Sequence, residues 1–260
     1  MKCAHSLSAI LCLALVGFAG SVSAAEFNEP ADTVQEPGPA DAVAPTGTTG
    51  DSLTAINGSI AESISNGKKD ADLYLIFISD PAAFSATTVG GADFDTQLFL
   101  FSADGTGIYS NDDTSETPGP GPGKGNNDVL QSTLPAGHIL GPTEAGCYLL
   151  GISGFNQDPD DGSGPIFPNA MGPGPFTDVV GPKDNAHSLE GWIGAHGNNN
   201  WGAYTILLTG VTIEPCEEEP PPPPPPPPPI EVIPEPATMA LLGLGLGLAA
   251  LRLRIEEVVS

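Results

Sequence analysis

The chain has 260 residues, with 32 acidic side chains against seven lysines and arginines, a formal net charge of −25 and an isoelectric point near 4.1. A field of that sign repels phosphate backbones and anionic lipid heads, so nucleic acid is not an expected partner. Calcium, cationic surfaces and basic proteins remain compatible with it.

At the N-terminus, Lys2 precedes an apolar stretch from Leu7 to Phe18 and the small residues Ser21-Val22-Ser23-Ala24-Ala25. That order predicts a signal peptide over residues 1–25, cut by signal peptidase after Ala24 or Ala25, and an exported product. Ile10 and Leu11 are too large for a lipoprotein site at Cys12. Cys3 and Cys12 leave with the peptide, so Cys147 and Cys216 remain in an oxidising compartment. A bridge between them would tie the exit of the last strand to a neighbouring strand and add roughly 2–4 kcal/mol; two free thiols are the alternative. Residues 26–50 are rich in Pro, Ala, Gly, Thr and acid with few large apolar side chains, which predicts a disordered leader.

Residues 51–216 carry short runs of β-branched and aromatic residues between Gly, Pro, Asn and Asp. The expected strands are Leu53 to Ile60, Leu73 to Ser79, Thr96 to Ser102, Gly107 to Ser110, Val129 to Leu134, Cys147 to Ser153 and Tyr204 to Ile213. Asp104-Gly105, set between two apolar runs, predicts a tight hairpin. No window of helical periodicity exceeds two turns in this body. The fold class is therefore all-β, and about seven or eight strands in roughly 160 residues fit a jelly-roll-like two-sheet sandwich better than a closed barrel. The Gly/Pro stretch from Asp158 to Gly181 is long enough to be functional or mobile. Trp192 and Trp201 read as core or loop-anchoring aromatics.

Three groups of acids flank these strands: Asp70 with Asp72, Asp93 with Asp95, and Asp112 with Asp113. Calcium takes six to eight hard oxygen ligands, and a jelly roll that gathered these loops at one end would supply them. Ordinary solvated turns use the same residues, and no EF-hand spacing is present. No cofactor is required by any motif. Asp158, Asp160 and Asp161 are weaker candidates, interrupted by Pro159. His187, Glu190 and His196 are the zinc candidates, at a spacing that fits no helix motif. Ser52 in Gly-Asp-Ser-Leu, Asn127 in Gly-Asn-Asn-Asp and Asp184 with His187 match in order the blocks of an SGNH-type esterase, with Ser52 as nucleophile. The helices and the buried strand before the serine that such an enzyme needs are missing, so no catalysis is expected.

The segments Asp70 to Ile78, Phe94 to Gly105, Tyr109 to Asp113 and Ala145 to Ser153 resemble successive strands of the bacterial pre-peptidase C-terminal (PPC) domain. The resemblance implies a small jelly-roll sandwich that serves as an accessory module rather than a catalyst. It covers roughly Leu53 to Ile213, and the inserted loop Gln157 to His187 departs from it. Some collagen-binding relatives of this fold bind calcium.

Residues 217–231 hold three glutamates and ten consecutive prolines, Pro220 to Pro229. A polyproline II rod of that length spans about 31 Å, which predicts a spacer. In residues 232–260, Pro234-Glu235-Pro236 precedes the uncharged stretch Ala237 to Leu251, then Arg252 and Arg254. Prolines cannot extend a helix backwards, so an apolar helix is predicted after Pro236. It covers roughly 23 Å, short of a hydrocarbon core of roughly 30 Å, and the arginines would hold its far end on the cytoplasmic side. This order of parts resembles the PEP-CTERM sorting signal of Gram-negative bacteria. The resemblance implies export, transient inner-membrane anchoring through Ala237 to Leu251, and cleavage near Pro234-Glu235-Pro236 by an exosortase. Leu253 between the arginines and the extension Ile255 to Ser260 depart from that pattern. The whole reads as a non-enzymatic surface or matrix protein, with exopolysaccharide or surface proteins as expected partners and a calcium-stabilised adhesion or carbohydrate-binding module as the alternative.

Overall fold

Short apolar runs punctuated by Gly, Pro and Asn become strands because each run buries one or both faces and the punctuation supplies the turns. The computed structural model describes residues 23–30, 36–62, 70–114, 130–168, 178–194 and 200–216. The predicted signal-peptide core, the polyproline spacer and the predicted apolar helix lie outside the described residues. Among the described residues the chain is all-β, with strands β1 (Ala24–Asn28), β2 (Ser52–Ile60), β3 (Ala71–Ile78), β4 (Ser85–Thr87), β5 (Thr96–Ser102), β6 (Gly107–Asn111), β7 (Thr133–Leu134), β8 (Gly146–Gly154), β9 (Gln157–Asp160), β10 (Gly191–Gly194), β11 (Gly202–Thr209) and β12 (Val211–Thr212).

Ten of these strands form one sheet: nine follow the hydrogen-bonded path β6-β5-β8-β3-β12-β2-β11-β4-β7, and β1 lies off it, parallel to β2. Only Gly210 separates β11 from β12. Its φ is +71°, and a Cβ there would stand 2.5 Å from the Asp80 carbonyl oxygen, so the bend requires glycine. One edge of this bent strand pairs with β2; the other pairs first with β4 and then with β3. A strand shared in this way turns the corner between two layers. The two free ends of the path also meet: Thr133 N–H donates to Asn111 Oδ1 at 2.8 Å, and Thr114 N–H to the Gln131 carbonyl at 2.7 Å. The two expected sheets are thus one nearly closed sheet folded over a core.

Strand alternation builds that core. Tyr74, Ile76, Ile78, Leu98, Leu100, Leu150 and Ile152 meet Ile56, Ile206 and Leu208 from the other layer. The opposite faces of β3, β5 and β8 are buried as well: Leu73, Phe99, Phe101 and Leu149 pack under Ile166, Phe167, Leu189 and Trp192. Phe99 meets Trp192 edge-on and Phe167 at a tilt, each with ring centroids 5.7 Å apart. Burying each such ring is worth about 1.5–3 kcal/mol. Gly151 leaves room for the cover, since a Cβ there would come within 3.2 Å of the Trp192 ring. The described parts of the long stretch after β8, with the β9–β10 ladder, therefore form an outer layer over β3, β5 and β8.

The expected disordered leader is corrected for residues 26–30 and 36–50. Phe27 of β1 is 8% exposed and sits in the main core. Val43 N–H donates to the Leu73 carbonyl and the Val43 carbonyl accepts from Leu75 N–H, covering an open edge of β3, and Gly50 N–H donates to the Ile213 carbonyl. Trp192 Nε1–H donates to the Pro37 carbonyl at 3.0 Å. Backbone hydrogen bonds anchor a segment whose side chains alone bury too little. Cys147 on β8 and Cys216 after β12 form a disulfide, with Cα atoms 5.7 Å apart.

Candidate metal centre

Asp95 lies immediately before β5, and Asp112 and Asp113 lie immediately after β6, on antiparallel neighbours whose end pair is Leu98 with Asn111. One carboxylate oxygen from each of the three falls within 4.8 Å of the other two. The turn after β6 is held by Asn111, whose Nδ2–H donates to the Asp113 carbonyl at 2.8 Å while its Oδ1 takes the β7 amide. Asp95 is fixed through its own carbonyl, which accepts Phe155 N–H at 3.0 Å. A buried hydroxyl cluster of Thr88, Thr96 and Ser132 braces the start of β5.

The electrostatics are those of crowded, dry carboxylates. Burial, then the charges of Asp95, Asp113 and Asp158, pushes Asp112 up to about 9. Burial and the charge of Asp113 push Asp95 up to about 8, and burial alone takes Asp113 up to about 6. Asp158, on β9 in the outer layer, is also raised by burial, against a hydrogen bond from Gln97 and the charge of Lys183. Such a group stores unfavourable energy unless protons or a cation neutralise it, and its all-oxygen donors suit a hard cation.

Of the six candidate aspartates, the structure brings Asp95, Asp112 and Asp113 together and leaves Asp70, Asp72 and Asp93 out. Asp70 Oδ2 accepts Ala61 N–H at 2.6 Å. Asp72 faces the main core, where its Oδ2 accepts the Tyr204 O–H at 2.6 Å and the Tyr204 and Tyr74 hydroxyls bond to each other. Asp93 is half-buried in the bend before β5. Two polar neighbours of the cluster were not legible as such. Gln97 sits on the same face of β5 as Asp95, and Asp158 reaches it across the layers, its Oδ1 accepting from Gln97 Nε2–H at 3.4 Å. The neighbouring Asp161 is engaged elsewhere, accepting from His187 N–H at 2.9 Å, with His187 Nδ1 3.5 Å from its carboxylate. Ser52 opens β2, its backbone N–H donating to the Ser23 carbonyl; Asn127 and His196 lie outside the described residues.

The described body is thus an all-β, two-layer fold with an outer cover and a buried carboxylate cluster. Residues 232–254 match the PEP-CTERM protein-sorting motif, a match that includes Pro234, Glu235, Pro236, Arg252 and Arg254. The motif implies exosortase processing and secretion to the cell surface or beyond in bacteria. No curated protein and no solved structure matches the chain. The matched segment lies outside the described residues, and among those described no helix is long and apolar enough to cross a membrane.

Proposed function

We propose that the protein is a non-catalytic module of the extracellular matrix or surface of a Gram-negative bacterium, a jelly-roll sandwich of PPC type carried on a polyproline spacer and released or retained by exosortase cleavage at Pro234-Glu235-Pro236. The observation that carries this reading is the order of parts. A sandwich closed by the Cys147–Cys216 disulfide is followed by ten prolines and then by the sorting motif at 232–254. The prolines give reach without collapse, which a displayed domain needs and a buried one does not. Its role is structural or binding, toward exopolysaccharide or other surface proteins. Intact-mass analysis of the secreted protein tests it: the expected mass lacks the residues before Ala25 or Glu26 and those after the Pro-Glu-Pro. An extracellular form that retains Leu241 to Leu251 while the exosortase is active overturns it.

A second reading, an adhesion or carbohydrate-binding module held by calcium, is favoured by the Asp95, Asp112 and Asp113 cluster. It differs in requiring a ligand, so retention on the matrix polysaccharide that chelator abolishes separates it from a purely structural role. Ester hydrolysis lost on Ser52→Ala would overturn both.

A further inference from the structure

An acidic loop of a β protein normally stands in water, and this one does not. Asp112 is 7% exposed and Asp113 4%. Both carboxylate oxygens of Asp112, and Oδ1 of Asp95 and of Asp113, are buried without a hydrogen-bond partner. Gln97 adds an independent sign. Its side chain is 7% exposed, its Nε2–H is turned to Asp158, and its amide oxygen is buried with no donor. Carboxylates this close repel one another strongly in so dry a setting, and burying one without a compensating partner is costly in itself. No cationic side chain stands against Asp95, Asp112 or Asp113 among the described residues.

The spacing indicates what resolves this. Ligands on opposite sides of one calcium, each about 2.3–2.6 Å away, stand about 5 Å apart, and the three carboxylate oxygens lie within 4.8 Å of one another. Every donor is a hard oxygen, with no histidine or cysteine among them, which disfavours zinc. Asp112 offers two oxygens at once; an irregular set of this kind suits calcium, whereas magnesium keeps a near-ideal octahedron made largely of water.

We propose that Asp95, Asp112 and Asp113 bind one calcium ion, with Gln97 and Asp158 at its margin, so that the ion clamps the start of β5 and the end of β6 to β9 of the outer layer. The site stands on the carboxylates alone and needs neither the sorting route nor any adhesion ligand. The secreted protein, stripped with EDTA and dialysed, is expected to take up one calcium per chain by equilibrium dialysis. Its melting temperature is expected to rise by roughly 5–10 °C at calcium about a hundredfold above Kd, with little response to the same concentration of magnesium. Asp112→Asn, nearly isosteric, is expected to lose that rise yet to melt higher than the wild type in EDTA, because it removes a carboxyl group that the calcium-free fold can bury only in its protonated form. A merely structural aspartate would lower both curves. Asp184→Asn, at an exposed position, is expected to keep the full calcium response. Absence of calcium uptake by the wild type overturns the proposal whatever the variant does, as does an equal response to magnesium or an undiminished response in Asp112→Asn.

Discussion

Asp72, within β3, and Asp112, just after β6, are buried to similar depth, 3% and 7% exposed, yet they are opposite kinds of group. Asp72 lies inside a hydrogen-bonded network: it accepts from Tyr204, and Tyr204 is bonded to Tyr74. Both tyrosines are pushed well up by burial first and by the charge of Asp72 second, so they stay protonated and able to donate. Asp112 has no such donors and three acidic neighbours. Burial of an acid therefore does not by itself mark a binding site; what marks it is whether the fold supplies the donors.

The comparison has a common background, the disulfide, which touches neither acid. Cys147 and Cys216 are 69 residues apart, and closing a loop of that length constrains the unfolded chain by about 4 kcal/mol in the chain-entropy model. The double variant Cys147→Ser/Cys216→Ser is expected to lose about that much in chemical denaturation, equally with and without calcium. A loss that appeared only in EDTA would mean that the bridge and the acidic site are coupled.

Next in size is the satisfied acid. Asp72→Ala leaves Tyr204 without its acceptor in the main core, and is expected to cost about 2–4 kcal/mol in urea unfolding. The loss should be the same in calcium and in EDTA. If calcium restored the variant, the division between the two aspartates would fail.

The third test uses the sign of the pH dependence. In EDTA, the folded wild type holds on Asp112 a proton that the unfolded chain releases above its ordinary carboxylate range. The folded state then binds more protons, so stability falls as pH rises from about 4 to the Asp112 value of about 9. Asp112→Asn lacks that slope, and its advantage over the wild type in EDTA is expected to widen with pH across this window in parallel thermal melts. A constant difference between the two would show that Asp112 is not held neutral by its surroundings.

Much of the architecture was legible from the chain, for reasons that also explain what was not. Leu98-Phe99-Leu100-Phe101 and Leu73-Tyr74-Leu75-Ile76-Phe77-Ile78 are nearly continuous apolar runs, and they became strands buried on both faces. Such runs announce a second cover, but not which segment provides it. Here it came from a Gly/Pro-rich stretch with few apolar residues, of which Ile166, Phe167, Leu189 and Trp192 matter. β1 was hidden because a signal-peptide junction and a Pro-rich leader dominate its neighbourhood, while its attachment is mostly backbone pairing to β2. The acidic groups were visible as groups. Their separation depends on strand parity: Asp72 shares the inward face with Tyr74, while Asp95 and Asp112 meet only because β5 and β6 pair, and Asp158 joins them only through the outer layer.

The smallest expected effect belongs to a third aspartate, which completes the comparison. Asp104, in the turn joining β5 to β6, accepts from Ser102 O–H at 2.5 Å and from Thr106 N–H at 3.1 Å, and those two bonds hold its carboxyl below the usual range. It is exposed, so screening by water limits its worth, and Asp104→Ala is expected to cost about 1 kcal/mol or less. Its pH dependence runs against that of Asp112. A carboxylate lowered in the folded state contributes stability above its ordinary range and loses it as pH falls through the folded value, so wild type and Asp104→Ala are expected to converge on acidification. In EDTA the wild type instead closes its deficit against Asp112→Asn at higher pH, as pH falls from about 9 to about 4. Opposite slopes are expected because Asp104, at the tip of the hairpin, is exposed and supplied with donors, whereas Asp112, at its end, is buried without them and is the acid that the fold leaves for an ion.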